Sequence, residues 1–504
     1  MKGLSNDTGV SISPFQTAAL LLFVALNLAV YLIRLLNVWH YGALFCPTGG
    51  ESLMIYSIWK GMHHLAVYQW PFSFPFSLSL YNYLFYATYA GALRLMGASD
   101  ASIPVWGRLL TSAFAVVGAL AQWKLVQKHL NLRGARSALS LLFALGLWFG
   151  TSMIQWWALA VRPDLAAAAL VMIALWAIVR LPRFGFAIAG IFFYLAWSFK
   201  ESVILTLVGV CLFLLFQRRW RDLSALAAVF AVLTAITLLL GTPEYRFSIL
   251  AAPRLVSEFS SRQALRASAL YARMNLYWLA APIVLLCARR ARQADRTVLL
   301  LVTVFAVALA GGIAAMAKVG AADNYLFEAF VAGSTLLQIA VFAMPGRVVT
   351  ALVLFGCAQP TIQLTPIARW LHLKHIQGNI RIANAADYAD AMALRARLAP
   401  LKKPLFTTEE GFSAPWISTG DQAPALVIDP IFHDATRQRC ENGGIERMLQ
   451  QGEIPSVMLA PDDRLYRDSL NPGYRKIGDS TLQGVPYNIY VFGAAPQNTG
   501  PALH

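Results

Sequence analysis

Charge is what this chain has least of. Asp, Glu, Lys and Arg make up 13% of its 504 residues, about half the share of an ordinary soluble domain, which excludes a typical soluble enzyme. Acids are the scarcer sign, 25 against 41 basic residues, for a net charge of +16. Cysteine is sparse and odd in number, at five, and only Cys46 and Cys440 face outside, where they could pair in an oxidising compartment. Cys211, Cys287 and Cys357 lie in apolar runs as small hydrophobes, and nothing in the sequence brings Cys46 and Cys440 together. No small-residue cleavage site follows the first apolar run, so that run stays as a span. No internal repeat or low-complexity tract is present, which disfavours an inverted-repeat transporter. No nucleic-acid partner is expected.

Apolar residues dominate instead, at 58% of the chain, with a mean hydropathy of +0.56. Runs at 15–36, 106–126, 137–161, 165–179, 184–199, 202–216, 223–241, 274–288, 297–317, 325–344 and 348–364 predict a polytopic bundle of about eleven spans, helical because an unpaired backbone cannot cross lipid. Lys124, Lys128, Arg133 and Arg136 fill one connection, and Arg180 with Arg183, Arg218–Arg221, Arg289–Arg296 and Arg347 mark the later alternate ones. The positive-inside rule then puts the N-terminus in the cytoplasm and the C-terminus outside. This scheme requires residues 77–95, rich in Tyr and carrying Arg94, to lie on the outer surface as an interfacial helix.

Two outer loops follow, at 37–105 and 242–273, within a membrane domain spanning 1–364. The first holds two surface helices, one starting at Glu51 and one near Ser77. The second is basic, with Arg246, Arg254, Arg262, Arg266 and Arg273 against Glu244 and Glu258, and lipid phosphate is its natural partner. Residues 365–504 change in composition to those of a soluble domain, with Asp387, Asp390, Glu409, Glu410, Asp421 and Asp429. Helices at 379–398 and 444–451 alternate with strands at 404–408, 425–429, 456–460, 474–477 and 487–492, which predicts a small extracytoplasmic α/β domain. It carries no glycine-rich phosphate loop, nucleophile elbow or metal-spaced His/Cys set and reads as an accessory or acceptor-handling module.

Polar residues collect at the outer ends of the spans: Glu51, His63, His64, Arg108, Arg162-Pro163-Asp164, Lys200-Glu201 and the stretch from Lys318 to Tyr325 with Asn324. Taken singly, Arg108 and Lys200 read as snorkelling anchors and Asp164 as a helix cap. Taken together on one face, they read as a site.

The order of these features resembles the GT-C superfamily of membrane glycosyltransferases, which includes protein O-mannosyltransferases and aminoarabinose transferases. The features are Glu51 early in the first outer loop, then Gly61, Tyr68, a proline-containing aromatic segment, a surface helix ending in Leu95-Met96-Gly97, and Arg108 opening a span. The Arg162-Pro163-Asp164 triplet and the Gly320–Tyr325 stretch fit as well. The resemblance covers roughly residues 15–364. It implies a sugar donor carried on a polyprenyl phosphate, a lipid, glycan or protein acceptor, an extracytoplasmic active site and inversion at the anomeric carbon. Glu51 would be the catalytic carboxylate, Arg108 would face the donor phosphate, and Lys200, Arg246 and Lys318 are further candidates for that task. Arg162, Asp164, Asn324 and Tyr325 would bind substrate. Two departures stand out: Gly50 takes the place of an acid often paired with the catalytic one, and Phe74-Pro75-Phe76 replaces Pro-Pro-Leu. A divalent metal, if used, would fall to Glu51 with His63 and His64. The rival class is a transporter or lipid-handling protein with Glu328 and Asn27 lining a path, and a weaker third is a scaffold with a degenerate site. A bacterial inner membrane is the expected location.

Overall fold

The structure is a computed structural model of the full chain, described over residues 12–42, 44–45, 50–151, 154–181, 183–255, 258–287, 295–318, 323–344, 346–365, 383–408, 415–419, 423–428, 430–482 and 484–493. Cys46, Arg289, Arg290, Arg292, the Gly320–Ala322 stretch, Glu409, Glu410, Asp421 and Asp429 lie outside the described residues. Two compact units emerge. One comprises residues 1–35, 110–241 and 257–380, the other 36–109, 242–256 and 381–504. Two of the boundaries fall inside long helices, α1 (Pro14–Tyr41) and α4 (Ile103–His129).

The first unit is helical. Besides most of α1 and α4 it contains α5 (Gly134–Gly150), α6 (Asp164–Arg180), α7 (Gly185–Phe199), α8 (Leu205–Phe216), α9 (Trp220–Leu240), α12 (Ser261–Leu279), α13 (Ala281–Cys287), α14 (Arg296–Ala315), α15 (Phe327–Ala343) and α16 (Arg347–Leu364). Each of the expected apolar runs contains a helix. Among the described residues six helices are long and apolar enough to cross a membrane. The stretch containing α15 is 94% buried and so forms the core, whereas α9, 6% buried, faces outward. Packing at the core is close: a Cβ on Gly118 would sit 2.3 Å from the Trp148 ring. One chain of polar side chains there is paired across helices. Trp148 Nε1 donates to Gln122 Oε1 (2.8 Å), Gln122 Nε2 to Gln338 Oε1 (2.8 Å), and Gln338 Nε2 to Ser140 O (2.7 Å).

Two stretches differ from the expected spans. The run 137–161 is α-helical only to Gly150, with a single 3-10 turn at Trp157–Leu159, because Thr151 turns extended at ψ 143° and Pro163 disfavours helix at Arg162. Carbonyls released by this break are taken up by α4, through Ser112 Oγ to Ala158 O (2.6 Å) and Thr111 Oγ1 to Ala160 O (2.8 Å). The segment 242–273, expected to be a loop, is helical from Ser261 onward. Ser260 accepts from Gln263 N and starts α12 at Ser261, so the helix takes up Arg262, Arg266 and Arg273.

The second unit contains α2 (Glu51–Met62), β1 (Phe76–Ser77), α3 (Tyr83–Leu95), α10 (Pro243–Arg246), α11 (Ala252–Leu255) and the tail elements. At 13 residues α3 is about 20 Å long, short of the ~30 Å hydrocarbon core. It begins later than the expected residue 77, at Asn82, whose Oδ1 accepts from Tyr83 N (2.9 Å) and from Tyr245 Oη (2.6 Å). Residues 76–77 instead pair in parallel with β3 (Leu426–Val427), Phe76 opposite Leu426. In the tail, β2 (Leu405–Thr407), β4 (Ser456–Leu459), β5 (Tyr474–Leu482) and β6 (Val485–Phe492) form a sheet of order β2-β4-β6-β5, parallel between β2 and β4 and antiparallel elsewhere. Helices Ala385–Leu398 and Gly444–Gln451 accompany it. Phe72, Phe76 and Leu78 of the first outer loop share one apolar core with Phe406, Leu426, Phe432 and Val457 of the tail. The compact unit therefore draws on both, rather than dividing at 364/365. Cys440 is a buried free thiol in that core.

Candidate active site

Glu51 opens α2, and the residue before it explains one departure from the family pattern. Gly50 is the N-cap at φ 72°, ψ 2°, a left-handed backbone that glycine adopts without strain and that costs most other residues energy. The Glu51 carboxylate thus lies at a helix N-terminus, where backbone N–H groups favour negative charge. Its main partner is Arg108 of α4, 57 residues away. Arg108 Nε donates to Glu51 Oε1 and Nη2 to Oε2, both at 2.9 Å, and both side chains are 0% exposed. Arg108 also donates to Gly42 O and Phe45 O at 2.6 Å. The structure therefore places Arg108 on the catalytic candidate, clasping it bidentately, instead of open to a phosphate.

The histidines do not join Glu51. They follow the last turn of α2, about 18 Å along the helix axis from its first residue. His63 Nε2 lies 2.8 Å from Asp100 Oδ1, and His64, at φ 57°, lies against Arg94 Nη1. Glu51, His63 and His64 are thus not a metal set, and among the described residues no group of three His, Cys, Asp or Glu side chains could hold an ion.

Sequence reading missed Lys60 on the same helix. It is 3% exposed and donates to Val67 O (2.8 Å), Ser77 Oγ (3.3 Å) and Gln69 Oε1 (3.4 Å), with the Tyr56 ring 5.0 Å away. Burial pushes its ammonium down from 10.5 to about 7. Below pH 7 folded and unfolded chains both carry the proton, and the full cost of burying it is present. Between 7 and 10.5 the unfolded chain binds more protons, so this residue makes stability rise with pH. Lys60→Met is expected to raise Tm near pH 7 and to flatten that rise in a pH series of thermal melts. A lower Tm at every pH would mean that its hydrogen bonds outweigh its charge.

In the helical unit four other candidates meet. Asp164 is the first residue of α6 and 2% exposed. Its Oδ1 accepts from Lys200 Nζ at 2.5 Å and from Asn324 Nδ2 at 2.9 Å, and Lys200 Nζ lies 5.2 Å from the Tyr325 ring. A cavity of ≈130 Å³ opens beside them, lined by Asp164, Lys200, Asn324 and Tyr325 among others. Glu201, in the turn before α8, has its carboxyl pushed up to about 7 by burial, with Lys200, Asp164 and Lys318 as charged neighbours. Arg162 is drawn to the Trp157 ring, 5.1 Å away. Arg246 is exposed on α10 in the other unit.

The two groups invoked for a transport path have structural roles. Glu328 caps α8, accepting from Ile204 N and Leu205 N at 3.2 Å and from Thr206 N at 2.6 Å. Asn27 turns back on its own helix, donating to Phe23 O at 2.8 Å.

No family model and no curated protein matches the sequence. Solved structures do match. ArnT from Cupriavidus metallidurans, in the apo state and bound to undecaprenyl phosphate, aligns with a TM-score of 0.62 at 13% identity, over 95% of this chain and 99% and 100% of the respective ArnT chains. The apo oligosaccharyltransferase of Archaeoglobus fulgidus aligns at 0.52 and 11% identity, over 88% of this chain and 69% of its own. Both are GT-C glycosyltransferases. The fold implied by the sequence motifs is the fold of this chain, and the likeness extends beyond the membrane part into the tail.

Proposed function

We propose that the protein is an integral membrane glycosyltransferase that moves a sugar from a polyprenyl-phosphate carrier to a lipid, glycan or protein acceptor. The acceptor hydroxyl attacks the anomeric carbon, the bond from that carbon to the phosphate oxygen breaks, and polyprenyl phosphate leaves with the electron pair. The hydroxyl proton passes to Glu51. A single displacement of this kind inverts the anomeric centre. Retention would call for a second carboxylate about 5–5.5 Å away as nucleophile, and among the described residues Glu51 is the only buried acid of its unit. The observation that carries this reading is the fully buried Glu51–Arg108 pair in a fold shared with ArnT. Arg108 supplies the counter-charge that a buried carboxylate requires and fixes its direction. The candidates for the phosphate are Arg246, exposed in its own unit, or else Lys318 and Arg162 of the helical unit. The eleven-span topology, with a cytoplasmic N-terminus and an extracytoplasmic tail in a bacterial inner membrane, agrees with the alternation of basic connections.

A transporter of the same lipid is the second reading. The structural use of Glu328 and Asn27 removes the groups that favoured it. To test the donor class, purified protein is melted with undecaprenyl phosphate and with undecaprenol. Only the phosphate is expected to stabilise, by about 2.7 kcal/mol at a hundred times Kd. Equal stabilisation by both would remove phosphate recognition from the account.

A further inference from the structure

The cavity beside Asp164 has buried acceptors to spare. Lys200 Nζ and Asn324 Nδ2 both point at one oxygen, Asp164 Oδ1. The other oxygen, Asp164 Oδ2, is buried without a hydrogen-bond partner, as are Asn324 Oδ1 and, in the adjoining turn, Glu201 Oε2. Glu328, also on the cavity wall, gives its oxygens to the N-terminus of α8. Orphaned acceptors of this kind are costly, and native proteins rarely leave several at one place without a ligand or water to meet them. At ≈130 Å³ the space is about ten times what a single water needs.

A phosphate brings only acceptors to such a wall and would face Asp164 Oδ2 and Asn324 Oδ1 with nothing to donate. A polyhydroxyl group brings donors. We propose that this cavity is a hydroxyl-reading subsite that takes the hydroxyl-bearing face of the donor sugar, with Asp164 and Asn324 as its acceptors and Lys200 holding Asp164 in place. This rests on the donor class proposed above, and it reassigns Lys200 from phosphate binding to positioning.

The test is equilibrium binding of undecaprenyl phosphate, undecaprenyl-phosphate glucose and undecaprenyl-phosphate mannose to wild type, Asn324→Leu and Ala315→Leu. Asn324→Leu removes an acceptor but leaves the Lys200–Asp164 pair. Ala315→Leu fills the cavity without touching a polar group and serves where the first variant folds poorly. Wild type is expected to prefer at least one glycosylated lipid over the bare phosphate, and each variant to lose about tenfold in affinity for it while holding bare undecaprenyl phosphate within about twofold. Equal loss for bare and glycosylated lipid would make this a phosphate site. No loss for either, or loss only in binding of a glycan acceptor, would overturn the donor-sugar assignment. Absence of binding of all three lipids to wild type would strike the donor reading itself.

Discussion

Glu51→Gln is expected to lower sugar transfer by about 10²–10⁴-fold, the range for a lost general base, while undecaprenyl phosphate still stabilises the protein. Gln keeps the length of the side chain and one acceptor oxygen, but it sets an amide NH2 against an Arg108 donor that now meets Glu51 at 2.9 Å. That mismatch adds about 1–3 kcal/mol of destabilisation, so activity has to be compared at temperatures where both proteins remain folded. Glu51→Asp retains the charge and withdraws it by one methylene from the Arg108 fork, and it should fall between the two. Turnover retained in Glu51→Gln would remove the mechanism.

Arg108→Met is expected to destabilise by about 3–5 kcal/mol, the cost of breaking a buried ion pair from one side. Three partners lose their donor at once: the Glu51 carboxylate and the carbonyls of Gly42 and Phe45. Lys at 108 would not rescue it, since a single ammonium cannot reproduce the two parallel bonds of the guanidinium fork. The double variant Glu51→Gln with Arg108→Met should recover a large part of the loss, because the unpaired charge is gone, and yet remain inactive. Thermal melts of the two single variants and the double form a cycle whose coupling reports the pair. Independent, additive losses would mean that the clasp is not an energetic unit.

What sequence revealed follows from the range of the interactions involved. The apolar runs became helices, and the short helix Gly444–Gln451 begins and ends where expected, because periodicity and glycine at both ends are local signals. The clustering of Asp164, Lys200, Asn324 and Tyr325 was legible only as a shared side of the membrane, with no indication that Lys200 and Asn324 converge on one oxygen of Asp164. Arg108 was read as an anchor or a phosphate ligand, since nothing local announces a partner 57 residues earlier. Gly50 looked like a lost acid until its left-handed backbone gave it a reason. The break after Gly150 escaped notice because its carbonyls are met by Ser112 and Thr111 from another helix. Lys60 carries no local signal of burial, which depends on the 67–79 segment folding over it.

The most direct test follows a radiolabelled sugar carried on undecaprenyl phosphate, with the purified protein in a nanodisc and membrane extract as acceptor. The account predicts that label leaves the lipid, appears covalently on an acceptor with inverted anomeric configuration, and is matched by released undecaprenyl phosphate. Label that stays on its lipid while the lipid changes leaflet in proteoliposomes would contradict it and identify a transporter.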